Sequence, residues 1–309
     1  MSFRRAKRLA ILHKVETTEL TDATPDVADA IIASNVSFTP LEAEEVRRDL
    51  ILPYLGNQGA ILTAEYGRIE FDVELAGSGV AGTAPKFGSL LRVAGFAATI
   101  NAGTSVVYSI VEDGTESGSL YFVADRVRHI FLGGRCNVAL TCAVKQIPKM
   151  RVTYVGLLGA VTDVVTMPAA TMAGWTKPVP VSKANTTLTL HGWSAVAESL
   201  SVDLGNELVP RHMIGDERVL VPDRQSTGSA VVEARSIATI DWFARARSGT
   251  RGALSLVHGT TAGNIVEIAA PAVEIGKPTQ GETNSIINYT LPLALCPSVG
   301  RDELTITIR

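Results

Sequence analysis

The spacing that most suggests chemistry is Gly77-Ser78-Gly79-Val80-Ala81-Gly82, a G-x-G-x-x-G pattern directly after an alternating apolar run. In a dinucleotide site such glycines let the backbone approach a pyrophosphate held at the N-terminus of the following helix. That chemistry needs a helix starting at the third glycine, within a parallel βαβ unit. Here Thr83-Ala84-Pro85 follows and no crossover helix is readable, so the segment reads as a flexible loop between strands. The five histidines (His13, His129, His191, His212, His258) form no H-x-H or H-E-x-x-H pair of the kind a metal needs. Arg128-His129 reads as a core or interface histidine beside a strand. Cys136, Cys142 and Cys296 match neither a zinc spacing nor a disulfide framework; the first two, six apart, fall on one side of a strand as buried free thiols. The sequence has no G-x-S-x-G elbow, P-loop or calcium loop. Carboxylate pairs such as Glu44-Glu45 sit on what reads as solvated helix or loop. Asn185-Thr186-Thr187 and Asn288-Tyr289-Thr290 fit the glycosylation sequon, read here as chance matches. The residues thus propose no catalytic site, no cofactor and no metal.

The elements that would position any site are mostly strands. Ile69-Glu70-Phe71-Asp72-Val73-Glu74-Leu75 alternates strictly, apolar on one face and acidic on the other, as a half-buried strand does. Similar runs are Ser105 to Val111, Ser119 to Val123, Asn137 to Val144, Arg151 to Leu157, Thr186 to Leu190, Ala230 to Glu233, Ile237 to Trp242, Ile286 to Leu291 and Leu304 to Ile308. Gly, Pro, Asn and Asp punctuate them at short intervals. Helical periodicity is confined to Pro25 to Ala33 and Leu41 to Leu50. Many short strands with few helices place the chain in a sandwich or barrel class.

An internal repeat organises these strands. LILPYLGNQGAILTA (50–64) and VLVPDRQSTGSAVVE (219–233) align at constant offset, matching Pro53 to Pro222 and Gly59 to Gly228. Val36-Ser37-Phe38 and Leu200-Ser201-Val202 precede them. A long strand follows each, Arg68 to Leu75 and Ile237 to Ala246, and Asn137 to Val144 can be laid on Asn288 to Leu295. Arg151 to Val155 then parallels Leu304 to Ile308. Between the copies, about 160–184, Pro168, Pro178 and Pro180 among small residues give linker chemistry. The expected organisation is two tandem β-domains, 1–164 and 165–309, each with one short flanking helix.

Composition narrows the function. The 309 residues are 46% hydrophobic and only 19% charged, which excludes general disorder and leaves little charge to cover an isolated surface. A net charge of −3 gives no basic excess for gripping nucleic acid. The cluster Arg4, Arg5, Lys7, Arg8 reads as a solvated arm. No stretch approaches the ~20 apolar residues of a membrane span, and the N-terminus lacks a signal-peptide pattern, so synthesis in the cytoplasm is expected. Aromatics are 6%, and Trp175, Trp193 and Trp242 are far apart in sequence, against the aromatic platform of a glycan-binding module.

Three stretches carry a resemblance to a known family. AIIASNVSFTPLEAEEVRRDLILPYLGNQGAILTAEYGRIEFDVEL, GGRCNVALTCAVKQIPKMRVTYVGLLG (133–159) and LSVDLGNELVPRHMIGDERVLVPDRQSTGSAVVEA (200–234) resemble tail tube, or major tail, proteins of long-tailed bacteriophages. The resemblance implies a β-sandwich or rolled barrel whose sheet joins its neighbours around a lumen, in a virion protein that stacks as rings into the tail tube through which DNA is ejected. Two copies per chain imply a ring of three chains with pseudo-sixfold symmetry. It further implies assembly in the host cytoplasm, contact with tape measure, tail terminator and distal tail proteins, and transient passage of DNA without specific binding. The candidate lumen-facing residues are Glu70, Asp72 and Glu74, whose carboxylates would repel phosphates. The candidate inter-ring loop holds Gly77, Gly79, Gly82 and Lys86; Ser248 to Gly252 is a second. Alternatives are another virion component, such as a minor tail or head–tail connector protein, and a β-sandwich glycan-binding module or enzyme.

Overall fold

The computed structural model describes residues 3–309. The strands of the first half are β1 (Leu9–Val15), β2 (Ala30–Ile31), β3 (Ser34–Arg47), β4 (Ala60–Glu74), β5 (Phe96–Asn101), β6 (Ser105–Ile110), β7 (Gly118–Ala124), β8 (Val127–Ala143) and β9 (Lys149–Asp163). Those of the second half are β10 (Thr186–Leu190), β11 (Trp193–Ser194), β12 (Ala197–Asp203), β13 (Val209–Met213), β14 (Asp216–Leu220), β15 (Thr227–Glu233), β16 (Arg251–His258), β17 (Val266–Ile275), β18 (Thr279–Thr283), β19 (Ile286–Cys296) and β20 (Thr305–Ile308). Helix α1 (Gly88–Val93) lies between β4 and β5, and α2 (Trp242–Ser248) between β15 and β16. Eighteen strands form one hydrogen-bonded network, while β13 and β14 make a separate hairpin.

Period-2 patterning explains why these segments are strands. In β4, Ile69, Phe71 and Val73 are each 0% exposed, and burying each such side chain stabilises the fold by about 1.5–3 kcal/mol. They join one core cluster with Leu90 and Leu91 of α1, Val138 of β8, Leu200 of β12, Leu256 of β16 and Ile306 of β20. The core is therefore shared by both halves. Two-residue turns fix register where the chain reverses: Asp125 and Arg126 (φ 42 and 74) join β7 to β8, and Asn284 and Ser285 (φ 52 and 62) join β18 to β19. Positive φ at both central residues is the type I′ geometry that matches strand twist.

Along the edge opposite β9, strand β8 serves two neighbours in turn. Its residues 127–134 pair with β7, and residues 139–143 pair with β12 from the second half. The change of partner follows a register shift between Leu132 and Arg135, where Gly133 has φ 58. A Cβ on Gly134 would lie 2.0 Å from the Tyr154 hydroxyl, so only glycine fits there. Such a bulge bends a strand and re-aims its edge.

The strand expectations hold at β4, β6 to β10, β15, β19 and β20. The helices lie elsewhere than expected. Leu41 to Arg47 belongs to β3, paired with residues 60–66 of β4, and the remainder of Leu41 to Leu50 is loop. Its Glu- and Arg-rich composition favours helix, but pairing to a distant strand overrides a preference of a few tenths of a kcal/mol per residue. Bulges at Thr39/Glu42 and Glu42/Glu44 also break the alternation that would have marked a strand. Pro25 to Ala33 contains only a 3₁₀ turn at Val27–Asp29, capped by Asp26, before β2. Conversely, Ile237 to Trp242 is turn leading into α2, so Ile237 to Ala246 is no long strand: the Asp241 carboxylate accepts from the Ala244 N–H and starts the helix, and Gly249 ends it in left-handed conformation.

Candidate functional site

A single run of eight strands crosses both halves in the order β3–β4–β9–β8–β12–β15–β19–β18. Opposed residues of an antiparallel pair share a face, so the register places residues across the whole run. Glu70 stands opposite Thr153, Asp72 opposite Arg151 and Glu74 opposite Lys149. Arg151 in turn faces Ala139, and Ala139 faces Asp203. Beyond the junction the same face continues through Thr227, Ser229, Thr290 and Thr279. One face of the run is thus mostly small and polar, apart from apolar positions such as Val155, Pro292 and Ala294, and the other is the core. The outer strands β3 and β18 each pair on one side only, with β4 and β19, among the described residues.

The expected acidic residues do lie on this polar face, but they do not form an uncompensated acidic strip. Arg151 reaches Glu70 at 2.7 Å and Asp72 at 3.0 Å; Arg68 reaches Glu70 at 2.8 Å, and Lys149 reaches Asp72 at 3.7 Å. Hydrogen bonds from Arg151 and then Arg68 hold the Glu70 carboxyl below its ordinary range. Partial burial pushes Asp72 upward, yet bonds from Asn35 and Arg151 outweigh it and the net shift is downward. Three acids and three bases share the patch, so its local charge balances. Sequence reasoning missed Arg151 and Lys149 as partners because they sit on a different strand.

The glycine segment is held rather than loose. The Gly77 N–H donates to Asn264 Oδ1 at 2.8 Å, and the Gly79 N–H to the Gly263 carbonyl at 2.9 Å. A Cβ on Gly77 would meet that carbonyl at 2.0 Å, and one on Gly82 would lie 2.3 Å from the Gly103 nitrogen. Lys86 Nζ donates to the Ala28 carbonyl at 2.9 Å. These glycines serve close backbone approach, at Gly77 between the two halves, and Val80 alone among the segment's larger apolar residues stays 63% exposed. The basic N-terminal residues are similarly tied: Arg4 donates to the Ala124 carbonyl at 2.8 Å and Arg8 pairs with Asp125 at 3.1 Å.

The residues able to do acid–base or nucleophilic chemistry are dispersed. His13 Nδ1 lies 2.9 Å from Ser89 Oγ, but burial drives this imidazole down to about 3, and its Nε2 has no partner. A general base works near the operating pH and is oriented through its second nitrogen; His13 meets neither condition. His191 bonds the Val273 carbonyl, and His258 sits between Thr186 and the Val179 carbonyl. Cys136 and Cys142 are buried free thiols, pushed upward by desolvation, Cys142 to about 12. Trp193 and Trp242, distant in sequence, meet edge-to-face at 5.6 Å, but Trp242 is 1% exposed and offers no platform. Among the described residues no group of three His, Cys, Asp or Glu is placed to hold a metal. No described helix is long and apolar enough to cross a membrane.

Fold and face define a mainly β protein with a continuous sheet whose two edge strands are open among the described residues. A family model described as phage tail tube protein matches residues 6–294. The chain belongs to the phage tail tube protein family and has a structural role in the tail of the virion, self-associating into the tube alongside other tail proteins. No curated protein matches it.

Proposed function

We propose that three copies of this chain close into a ring with pseudo-sixfold symmetry, that rings stack into the tail tube, and that the polar face of the eight-stranded run lines the channel for DNA. The observation that carries this reading is the β8–β12 junction: five residue pairs, from Ser199↔Ala143 to Asp203↔Ala139, join the two halves edge to edge inside one chain. The remaining open edges, β3 and β18, are the counterparts of β12 and β8, so β18 of one copy pairs with β3 of the next.

Recurring order supports a duplication behind this geometry, with domains at 1–164 and 165–309. β1 pairs with β7 as β10 pairs with β16; β3–β4 pairs as β12–β15 does; α1 follows β4 as α2 follows β15. β8 then corresponds to β17 with β18, and β9 to β19 with β20. On this alignment Asn137 to Val144 matches the strand before the Asn284 turn rather than Asn288 to Leu295, one strand away from the sequence-based match. The segment from 164 to 185 holds no strand or helix, although Val181 exchanges backbone bonds with Lys145 and Gln146 of the first half.

Three chains with eight strands each would close a barrel of about 24 strands. At ~4.8 Å between strands and a tilt of ~40°, that barrel is roughly 48 Å across its backbone, wide enough for a duplex roughly 20 Å wide. A charge-balanced, hydroxyl-rich wall lets phosphates pass without being held. Stacking is assigned to loops at the sheet ends, with Val80 of the Gly77–Lys86 segment exposed to meet the next ring. Tape measure, terminator and distal tail proteins would meet the tube interior and its two ends, after assembly in the host cytoplasm. Electron microscopy of the purified chain over a concentration series tests the reading: rings or tubes with threefold averages and pseudo-sixfold features are expected, and a chain that remains monomeric at every concentration, or rings of six chains, would overturn it.

A further inference from the structure

The two β-hairpin arms of the chain differ in what covers them. Beyond the point where β15 leaves β19, residues 204–226 form an arm that ends in β13–β14. This arm folds back against β4, β8 and β9 of the first half. There Val219 of the arm is 0% exposed and Val155 of β9 is 3% exposed, and neither belongs to the shared core. Val155 lies on the polar face, opposite Arg68, so the arm is what makes this stretch of that face dry.

The corresponding arm of the first half is residues 40–65, the part of the β3–β4 hairpin that continues past the last β4–β9 pair at Tyr66. Among the described residues nothing covers its tip. Ile51 and Leu55 are each 102% exposed, Tyr54 68% and Leu50 45%, an apolar cluster open to solvent. Solvent-exposed apolar residues clustered in this way mark an interaction surface. A matching bare surface exists on the second half. On the domain alignment above, Val155 and Leu157 of β9 correspond to Ala294 and Cys296 of β19. Pro292 and Ala294 are exposed and Cys296 half-buried, a stripe at alternate positions on one face with no arm above it among the described residues.

We infer that the arm 40–65 of one copy seats on the Pro292–Ala294–Cys296 stripe of the adjacent copy in the same ring, the copy whose β18 pairs with its β3. The occupant is a second copy of this chain because β13–β14 already makes the equivalent contact across the equivalent junction. Arm and edge belong to one seam: in the chain, the half that offers β12 to β8 also lays its arm over β9. The arm thus adds an apolar clasp to each backbone seam. The contact is lateral, within a ring, and not between stacked rings. This inference rests on the ring reading proposed above.

The test uses the full chain. A Leu55→Cys variant is assembled and treated with a short bismaleimide; native Cys296 is the partner, since Cys136 and Cys142 are buried. Covalent dimers and trimers are expected from assembled material, and loss of both in a Leu55→Cys/Cys296→Ser control. An Ile51→Asp/Leu55→Asp variant is expected to keep its melting temperature within a few degrees while its assembly threshold rises at least tenfold; Ala294→Arg is expected to match it. If the wild type forms rings and the Asp variant forms them at an unchanged threshold, or forms normal rings that only fail to stack, the lateral clasp is wrong although the ring reading stands. If the wild type forms no rings, the ring reading itself fails.

Discussion

Substituting Gln280→Pro in β18 tests the open edge with little disturbance to the folded chain. The type I′ turn at Asn284-Ser285 makes Thr283 and Ile286 a hydrogen-bonded pair, so the pattern alternates outward from the turn. Gln280, opposite Tyr289, is then in a non-bonded pair, and its N–H points away from β19 toward the free edge. Proline there removes an outward donor and leaves the ladder to β19 intact, the position at which edge strands tolerate proline. The seam it should block is the equivalent of β8–β12, which holds five residue pairs. Losing one bond, leaving its β3 carbonyl unpaired and displacing the adjacent bond together cost about 2–4 kcal/mol per seam. That corresponds to a weakening of roughly 30- to 1000-fold in each contact. Sedimentation across a concentration series reads the assembly threshold, and a thermal melt verifies that the variant is folded. A folded variant that assembles at the wild-type threshold would refute the assignment of β18 as a joining edge.

Other consequences are open to direct measurement. Arg151→Ala removes the cation shared by Glu70 and Asp72; because the patch is partly exposed, the expected cost is about 1 kcal/mol at neutral pH. Both carboxyls titrate below their unfolded values, so this contribution is full above about pH 5 and lost as pH falls through the folded values, which melts of the two proteins against pH would show. His13 is depressed to about 3, so the unfolded chain binds a proton that the folded one refuses between there and about 6.5. Its effect is loss of stability as pH drops below about 6.5, at about 1.4 kcal/mol per pH unit, and His13→Gln is expected to flatten that slope in denaturant titrations at pH 4 to 7. Gly134→Ala drives a methyl into the hydroxyl end of the Tyr154 ring and is expected to cost about 1–3 kcal/mol, with partial rescue by the shorter Tyr154→Leu despite loss of the bond to the Gly118 carbonyl. Equal destabilisation with and without Tyr154→Leu would locate the strain elsewhere.

What could be read in the sequence was local, and what could not was set by partners far along the chain. The alternation of Ile69 to Leu75 announces a half-buried strand because both faces are written in consecutive residues. The Leu41 to Leu50 stretch carries helix-forming side chains, and its strand state comes from β4, reached through bulges that scramble the period. Ile237 to Trp242 misled in the opposite sense: β-branched residues precede a cap at Asp241, and the cap decides. At the polar face, Glu70, Asp72 and Glu74 were legible as the wet side of a strand, whereas their neutralising partners stand about 80 residues away on β9. The glycines of 77–82 have the composition of a loose loop, and only the approach of Gly263 and Asn264 shows why side chains are excluded.

Cryo-electron microscopy of assembled tubes, resolved well enough to trace the chain, tests the central claim most directly. The account predicts three chains per ring, with β18 of each paired to β3 of the next and Glu70, Arg151, Ser201 and Ser229 facing the channel. Six chains per ring, or a channel lined by any other face, would contradict it.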